Sequence, residues 1–248
     1  MPVLCVAPEE VLSVTKTTRE EFLGNISQAL TRHQVRAPKP DPVEGPVYHR
    51  LADLSPEALA DHFHSQAPIR HFSSRSIQAG DLAEALQDLL SRDDVEKVVI
   101  CDDAVSRALH LAEAVTAAGR TPLVYRPDGY GHQGLVDALA DADVGITVPT
   151  YGLADVGAVV EMASREIPKS FSLLPRVHVS LLPLSRLYSS MSTLAEELEK
   201  VYARDGLTSG MNQISGPSST GDIESYMVTG AHGPVSYTHL TLPTKRIV

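Results

Sequence analysis

The chain has 248 residues, of which 43% are apolar, 21% charged and 5% aromatic, with a mean hydropathy of −0.05. These values fit a globular protein with one sizeable core and exclude a largely disordered chain. A net charge of −10 argues against sequence-independent nucleic-acid binding, and the two cysteines, Cys5 and Cys101, cannot supply a four-thiolate iron–sulfur site.

No apolar run is long enough for a membrane span. The N-terminus MPVLCVAPEEVL carries Glu9 and Glu10 and no basic region, unlike a secretory signal. A cytoplasmic protein with an irregular leader over residues 1–17 is expected. Thr18-Arg19-Glu20-Glu21 has the spacing of a capping box, and Phe22, Leu23, Ile26, Ala29 and Leu30 then recur at helical period. That helix should reach about Gln34. Pro38, Pro40, Pro42 and Pro46 follow, so residues 18–46 read as a helical arm and an extended linker.

From residue 47 the pattern is that of an α/β domain. Ser55-Pro56 opens a helix with Leu59 and Phe63, and residues 69–77 suit a strand. Leu82 to Leu90 should be helical, Val98 to Cys101 a buried strand, and Ala104 to Ala118 a helix closed by Gly119. Pro122–Tyr125 and Val144–Val148 read as further buried strands around a helix over 133–142. Ala158–Glu161, Val177–Leu182, a helix across 189–202 and Gln213–Ser215 are expected to continue the same mainly parallel sheet.

Polar residues on loops at strand ends carry the chemical information, and open α/β sheets bind ligands beyond their carboxyl ends. In Ile214–Glu224 a strand ends, Gly216-Pro217 turns, and hydroxyls arrive at an expected helix N-terminus. Ser218 and Thr220, with backbone N–H groups, suit a phosphate or carboxylate; equally, they suit helix capping, with Asp222 and Glu224 complementing the dipole. His232, between Ala231 and Gly233 in GAHGP, suits contact with a ligand or, equally, a turn in which it bonds a backbone carbonyl. Asp155, in YGLADVG, suits a proton acceptor or a local turn bond, and Glu161 is a weaker candidate. Arg176, His178 and Ser180 alternate along one strand, where Arg176 suits an anionic ligand and His178 equally suits a structural role. His62, His64 and His71 do not make a convincing metal set, because i and i+2 on a helix face apart. No GxGxxG, Walker or GxSxG motif occurs, so no cofactor and no metal are designated.

The ordered motifs DVGIT…YGLADVG, SLLPRVHVS, ISGPSSTGDIE and GAHGP resemble the lactate utilization protein C family, which carries the LUD domain. The resemblance spans about residues 18–234. It implies a three-layer α/β fold similar to the ribose-5-phosphate isomerase, glucosamine-6-phosphate isomerase and CoA-transferase-like group. It also implies a cluster-free component of L-lactate oxidation to pyruvate, partnered by iron–sulfur subunits. On that reading Asp155, His232 and Glu224 are the catalytic candidates, and Gly216, Ser218, Thr220, Asp222, Gly233, Arg176 and His178 surround a small anionic ligand. The alternatives are a non-catalytic assembly or regulatory subunit, and an isomerase- or transferase-like enzyme for phosphorylated or acyl substrates. The chain departs from the family's GPSRTADIE at Ser219 and Gly221, and from its (Asp/Glu)-Thr-Gly-(Thr/Ser) at Val156 and Ala158. The domain is therefore expected over 47–234. VSYTHLTLPTKRIV replaces the family's apolar closing strand and resembles a translated sequencing-adaptor run, so residues 235–248 are expected to be a non-native tail.

Overall fold

The computed structural model describes residues 18–32, 51–92, 94–126, 129, 132–206, 208–223 and 226–243. The chain divides into two units, residues 1–46 and 47–248. In the first, α1 (Arg19–Arg32) begins with the expected capping box. Thr18 N–H and Oγ1 donate to the Glu21 carboxylate at 2.9 and 3.1 Å, and Glu21 N–H donates to Thr18 Oγ1 at 3.2 Å.

The second unit begins with α2 (Pro56–Ser65) and α3 (Ala67–Arg70), then β1 (Ser73–Ser76), α4 (Leu82–Leu90) and β2 (Lys97–Cys101). It continues through α5 (Ala104–Ala108), α6 (Leu111–Ala117), β3 (Thr121–Tyr125), α7 (His132–Ala140) and β4 (Val144–Thr147). Next come β5 (Tyr151–Leu153), β6 (Ala158–Met162), β7 (Val177–Pro183), β8 (Leu187–Tyr188) and α8 (Met191–Asp205). The last elements are β9 (Met211–Ile214), β10 (Ser219–Ile223), β11 (Tyr226–Thr229) and β12 (Ser236–Leu242).

Six strands form a parallel sheet in the order β1-β12-β7-β4-β2-β3. One face is apolar. Val98, Ile100, Val144, Ile146, Val179, Leu181, Leu240 and Leu242 pack on Leu82, Leu86 and Leu90 of α4 and Leu111 and Val115 of α6. The other face meets α7 through Leu139 and α2 through Phe63. The expected α/β class with a mainly parallel sheet is the fold observed.

Five expectations need correction. Ala158–Met162 and Met211–Ile214 do not extend the parallel sheet; they belong to a second sheet, β8-β5-β6-β9, in which β6 is antiparallel to both β5 and β9. Residues 69–77 are only partly a strand, because Pro68 starts the turn of α3 and His71 then takes a left-handed conformation (φ 59°). The expected helix over 104–118 breaks at Leu109–His110, where His110 is left-handed (φ 51°). That break lets Leu109 and Leu111 both enter the core, although a continuous helix sets i and i+2 apart. Pro122–Tyr125 lies in an edge strand with alternating exposure, not a fully buried one.

Finally, residues 236–242 do not hang outside the domain. They fill the slot between β1 and β7 as β12, with Tyr237, His239, Leu240 and Leu242 buried. The domain therefore runs past the boundary expected at residue 234.

Candidate functional site

Strand periodicity puts a set of polar residues of the six-stranded sheet on one face. Gly145 pairs with His178, Thr147 with Ser180, Tyr237 with His178, and His239 with Ser180, so these side chains share a side. Glu161 of β6 reaches them from the second sheet. Thr147 Oγ1 donates to Glu161 Oε1 at 2.6 Å and lies 2.8 Å from His178 Nε2, while His178 Nε2 and Glu161 Oε1 are 3.4 Å apart. Thr147 has one hydroxyl proton and gives it to the carboxylate, so His178 Nε2 must carry a proton and donate to Thr147. All three residues are at most 3% exposed.

Burial works to raise the Glu161 pKa, but bonding to His178 and Thr147 and the His178 charge hold it below the ordinary value. Tyr237 packs edge-on to His178, with ring centroids 5.6 Å apart. Its hydroxyl is pushed up to about 12 by burial and the Glu161 charge. Glu161 Oε2, His178 Nδ1 and Ser180 Oγ are buried without a partner, an unusual concentration of unpaired polar atoms.

Most of the loop residues singled out by sequence gather at the amino ends of the parallel strands, not the carboxyl ends. His232 and Gly233 immediately precede β12, and Gly216 touches the Arg70 carbonyl just before β1. Gly216 is required there: its φ is +91°, and a Cβ would collide with that oxygen. Ser215 Oγ donates to the Val156 carbonyl at 2.6 Å, joining this loop to the Asp155 turn. Ser218 Oγ accepts from His232 N–H at 3.0 Å, and Gly230 N–H donates to the Ser218 carbonyl at 2.7 Å. A Cβ on Gly233 would lie 3.2 Å from the Tyr237 hydroxyl, so this loop covers the ring that packs on His178.

Asp155 Oδ1 is buried without a partner, and burial raises its pKa despite backbone bonds and the nearby His62. A carboxylate in that condition accepts protons more readily than a solvated one. His232 is exposed. Ser218, His232, Gly233, Gly216 and Asp155 therefore lie on linked loops, with His178 beneath them.

The remaining expectations fare differently. The helix N-terminus expected after Gly216 is absent: Ser219–Ile223 is β10, an antiparallel partner of β11 with a register shift between Thr220 and Ile223. Antiparallel pairing with Tyr226–Thr229 overrides the capping pattern there. Thr220 and Asp222 lie on this strand, so neither caps a helix; Glu224 lies outside the described residues. Arg176 is tied to the amino end of the sheet. Its Nη2 donates to Asp143 Oδ1 and the Asp94 carbonyl, each at 2.6 Å, tying together the amino ends of β2, β4 and β7. Asp143 also accepts from the N–H groups of Glu96 and Lys97 at 2.8 and 2.9 Å.

His64 bonds to Ser74 Oγ at 2.6 Å, Ser76 Oγ at 3.0 Å and Thr241 Oγ1 at 3.2 Å. Among the described residues no group of three His, Cys, Asp or Glu side chains is placed to hold a metal ion, and no helix is long and apolar enough to cross a membrane.

Thr147 and Tyr237 were missed by sequence reasoning. The available signal was alternation: Thr147, His178 and Ser180 are polar positions interrupting otherwise apolar parallel strands.

The LUD domain model matches residues 73–240, which includes most of β12. A lactate utilization protein C of Shouchella clausii is 28% identical, covering 92% of this chain and 98% of the relative. One from Halalkalibacterium halodurans is 30% identical over 88% of this chain and 94% of its own length. The uncharacterized protein YkgG of Escherichia coli is 32% identical, with 90% and 97% covered. A crystal structure of a DUF162 family protein from Deinococcus radiodurans has a TM-score of 0.53 at 16% identity, covering 76% of this chain and 99% of that one, a likeness of fold. With its family match spanning more than half of the sequence, the chain belongs to the LUD domain family.

Proposed function

We propose that this chain acts in the cytoplasm as the cluster-free component of an L-lactate oxidation system, in which iron–sulfur subunits carry the electrons from lactate to pyruvate. The observation that carries this reading is the near full-length similarity to relatives named lactate utilization protein C. Two cysteines in the whole chain fit a component that leaves electron transfer to its partners.

The linked loops around Ser218 are the proposed site for a small anionic metabolite or phosphate-bearing cofactor. Ser218, Thr220 and the backbone N–H groups around Gly216 and Gly233 would hold the anion. Asp155, His232 and Glu224 would handle protons, with Asp222 beside them. Arg176 and His178 are the further ligand candidates, Arg176 with its guanidinium bonded to Asp94 and Asp143. Deleting the gene should abolish growth on L-lactate while sparing growth on pyruvate. Unimpaired growth on L-lactate would remove the proposal.

A second reading, an assembly subunit, has one observation in its favour. Phe22, Leu23 and Ile26 stand on α1 with 57%, 47% and 42% exposure, an apolar stripe suited to a partner. Deleting residues 1–46 separates the two: loss of partner co-purification with the Ser218 loop intact favours assembly.

A further inference from the structure

The carboxyl ends of β2 and β3 carry a polar group that the proposed function does not use. Open α/β sheets bind ligands beyond the carboxyl ends of their strands. A cavity of about 270 Å³ lies there, with Ile100, Leu111 and Val124 in its wall and Asp102, Arg107, Glu113 and Arg126 among its charged residues.

Asp102 is the pivot of this arrangement. Arg107 Nη1 donates to its Oδ1 at 3.0 Å and to its carbonyl oxygen at 2.6 Å. Arg126 Nε donates to its Oδ2 at 3.0 Å. The Asp102 side chain is 21% exposed, against 60% and 71% for the two arginines, so a sheltered carboxylate steers two guanidiniums at the opening. Bonds from Arg126 and Arg107 hold its pKa below the ordinary value, which keeps the pivot charged. Each guanidinium has five N–H donors. Arg107 commits only Nη1 and Arg126 only Nε to hydrogen bonds among the described residues, leaving the other edges of both forks open.

We infer that this cavity binds a small phosphomonoester. Two planar forks brought to one point match the tetrahedral oxygens of a phosphate, with Asp102 orienting them and the exposed Glu113 the other acidic group of the lining. The apolar wall takes the compact body of the ligand. The space suits the compact body of a three- or four-carbon phosphate. The site follows β2, whereas the Ser218 and His232 loops precede β12, so it stands or falls independently of the lactate reading.

Calorimetric titration of the full chain with glycerol 3-phosphate at low salt tests the inference, with glycerol as the uncharged control. Saturable binding at one site is expected, with none for glycerol. Arg107→Ala and Arg126→Ala should each weaken binding at least tenfold. Asp102→Asn should weaken it severalfold by releasing the two forks. Lys200→Ala, which removes an exposed cation on α8, should bind as the parent does. Circular dichroism verifies that the variants fold, which the exposure of both arginines leads us to expect. No saturable binding, unchanged affinity in both arginine variants, or equal weakening in Lys200→Ala would each overturn the assignment.

Discussion

The two faces of the six-stranded sheet solve different problems with the same backbone. One is filled by Val, Ile and Leu against α4 and α6, and its stabilisation comes from removing apolar area from water. The other sets Thr147, His178, Ser180 and His239 out of water, where every polar atom needs a partner and several have none. A protein selected for stability alone would fill both faces with hydrocarbon. The His232 loop reaches this polar face through Gly233, which lies against the Tyr237 ring that packs on His178.

The largest expected effect breaks the buried network. His178→Ala leaves Glu161 charged and unpaired in the interior and should cost about 4 kcal/mol in urea unfolding. Glu161→Leu combined with His178→Leu should recover most of that loss. If the double variant is as unstable as the single one, the network is not the source of the cost. On the apolar face, Leu181→Ala should cost about 3 kcal/mol through lost burial and a cavity, with no change in the pH dependence of stability.

His239 gives an effect of opposite sign. It is fully buried against Phe63 and Phe72, both ring nitrogens lack partners, and burial pushes its pKa down to about 3. The slot between β7 and β1 suits an apolar residue better, as the family's apolar closing strand has. His239→Val should stabilise the fold by about 1–2 kcal/mol. The pH dependence has a definite sign. Between about 6.5 and 3 the unfolded chain binds a proton that the folded chain does not, so stability falls as pH drops through that range. The valine variant should lose that part of the acid slope. An unchanged slope would show that His239 is not the group responsible.

Arg176→Ala makes the smallest change. This exposed arginine bridges Asp94 and Asp143, and its removal should lower the urea midpoint only slightly, and less at high salt.

These contrasts also show where sequence is informative. The apolar face was legible because uninterrupted runs such as Val98–Cys101 admit little besides a buried parallel strand. Asp155, Ser218 and His232 were legible as loop residues, since glycine and proline mark the turns that carry them. Their common location was not, because it depends on β12 returning between β1 and β7 across more than fifty residues from the end of β7. The Thr147–Glu161–His178 contact was equally hidden: it joins three strands from two sheets, and no local period encodes it. Ser218–Ile223 misled because hydroxyls that cap helices also occupy strands, and pairing with Tyr226–Thr229 decides the outcome.

The most direct test of the functional account is complementation of a deletion strain on L-lactate with the intact chain and with Ser218→Ala/His232→Ala, at matched expression. The account predicts that the intact chain restores growth and the double variant does not. Equal restoration by both would contradict it.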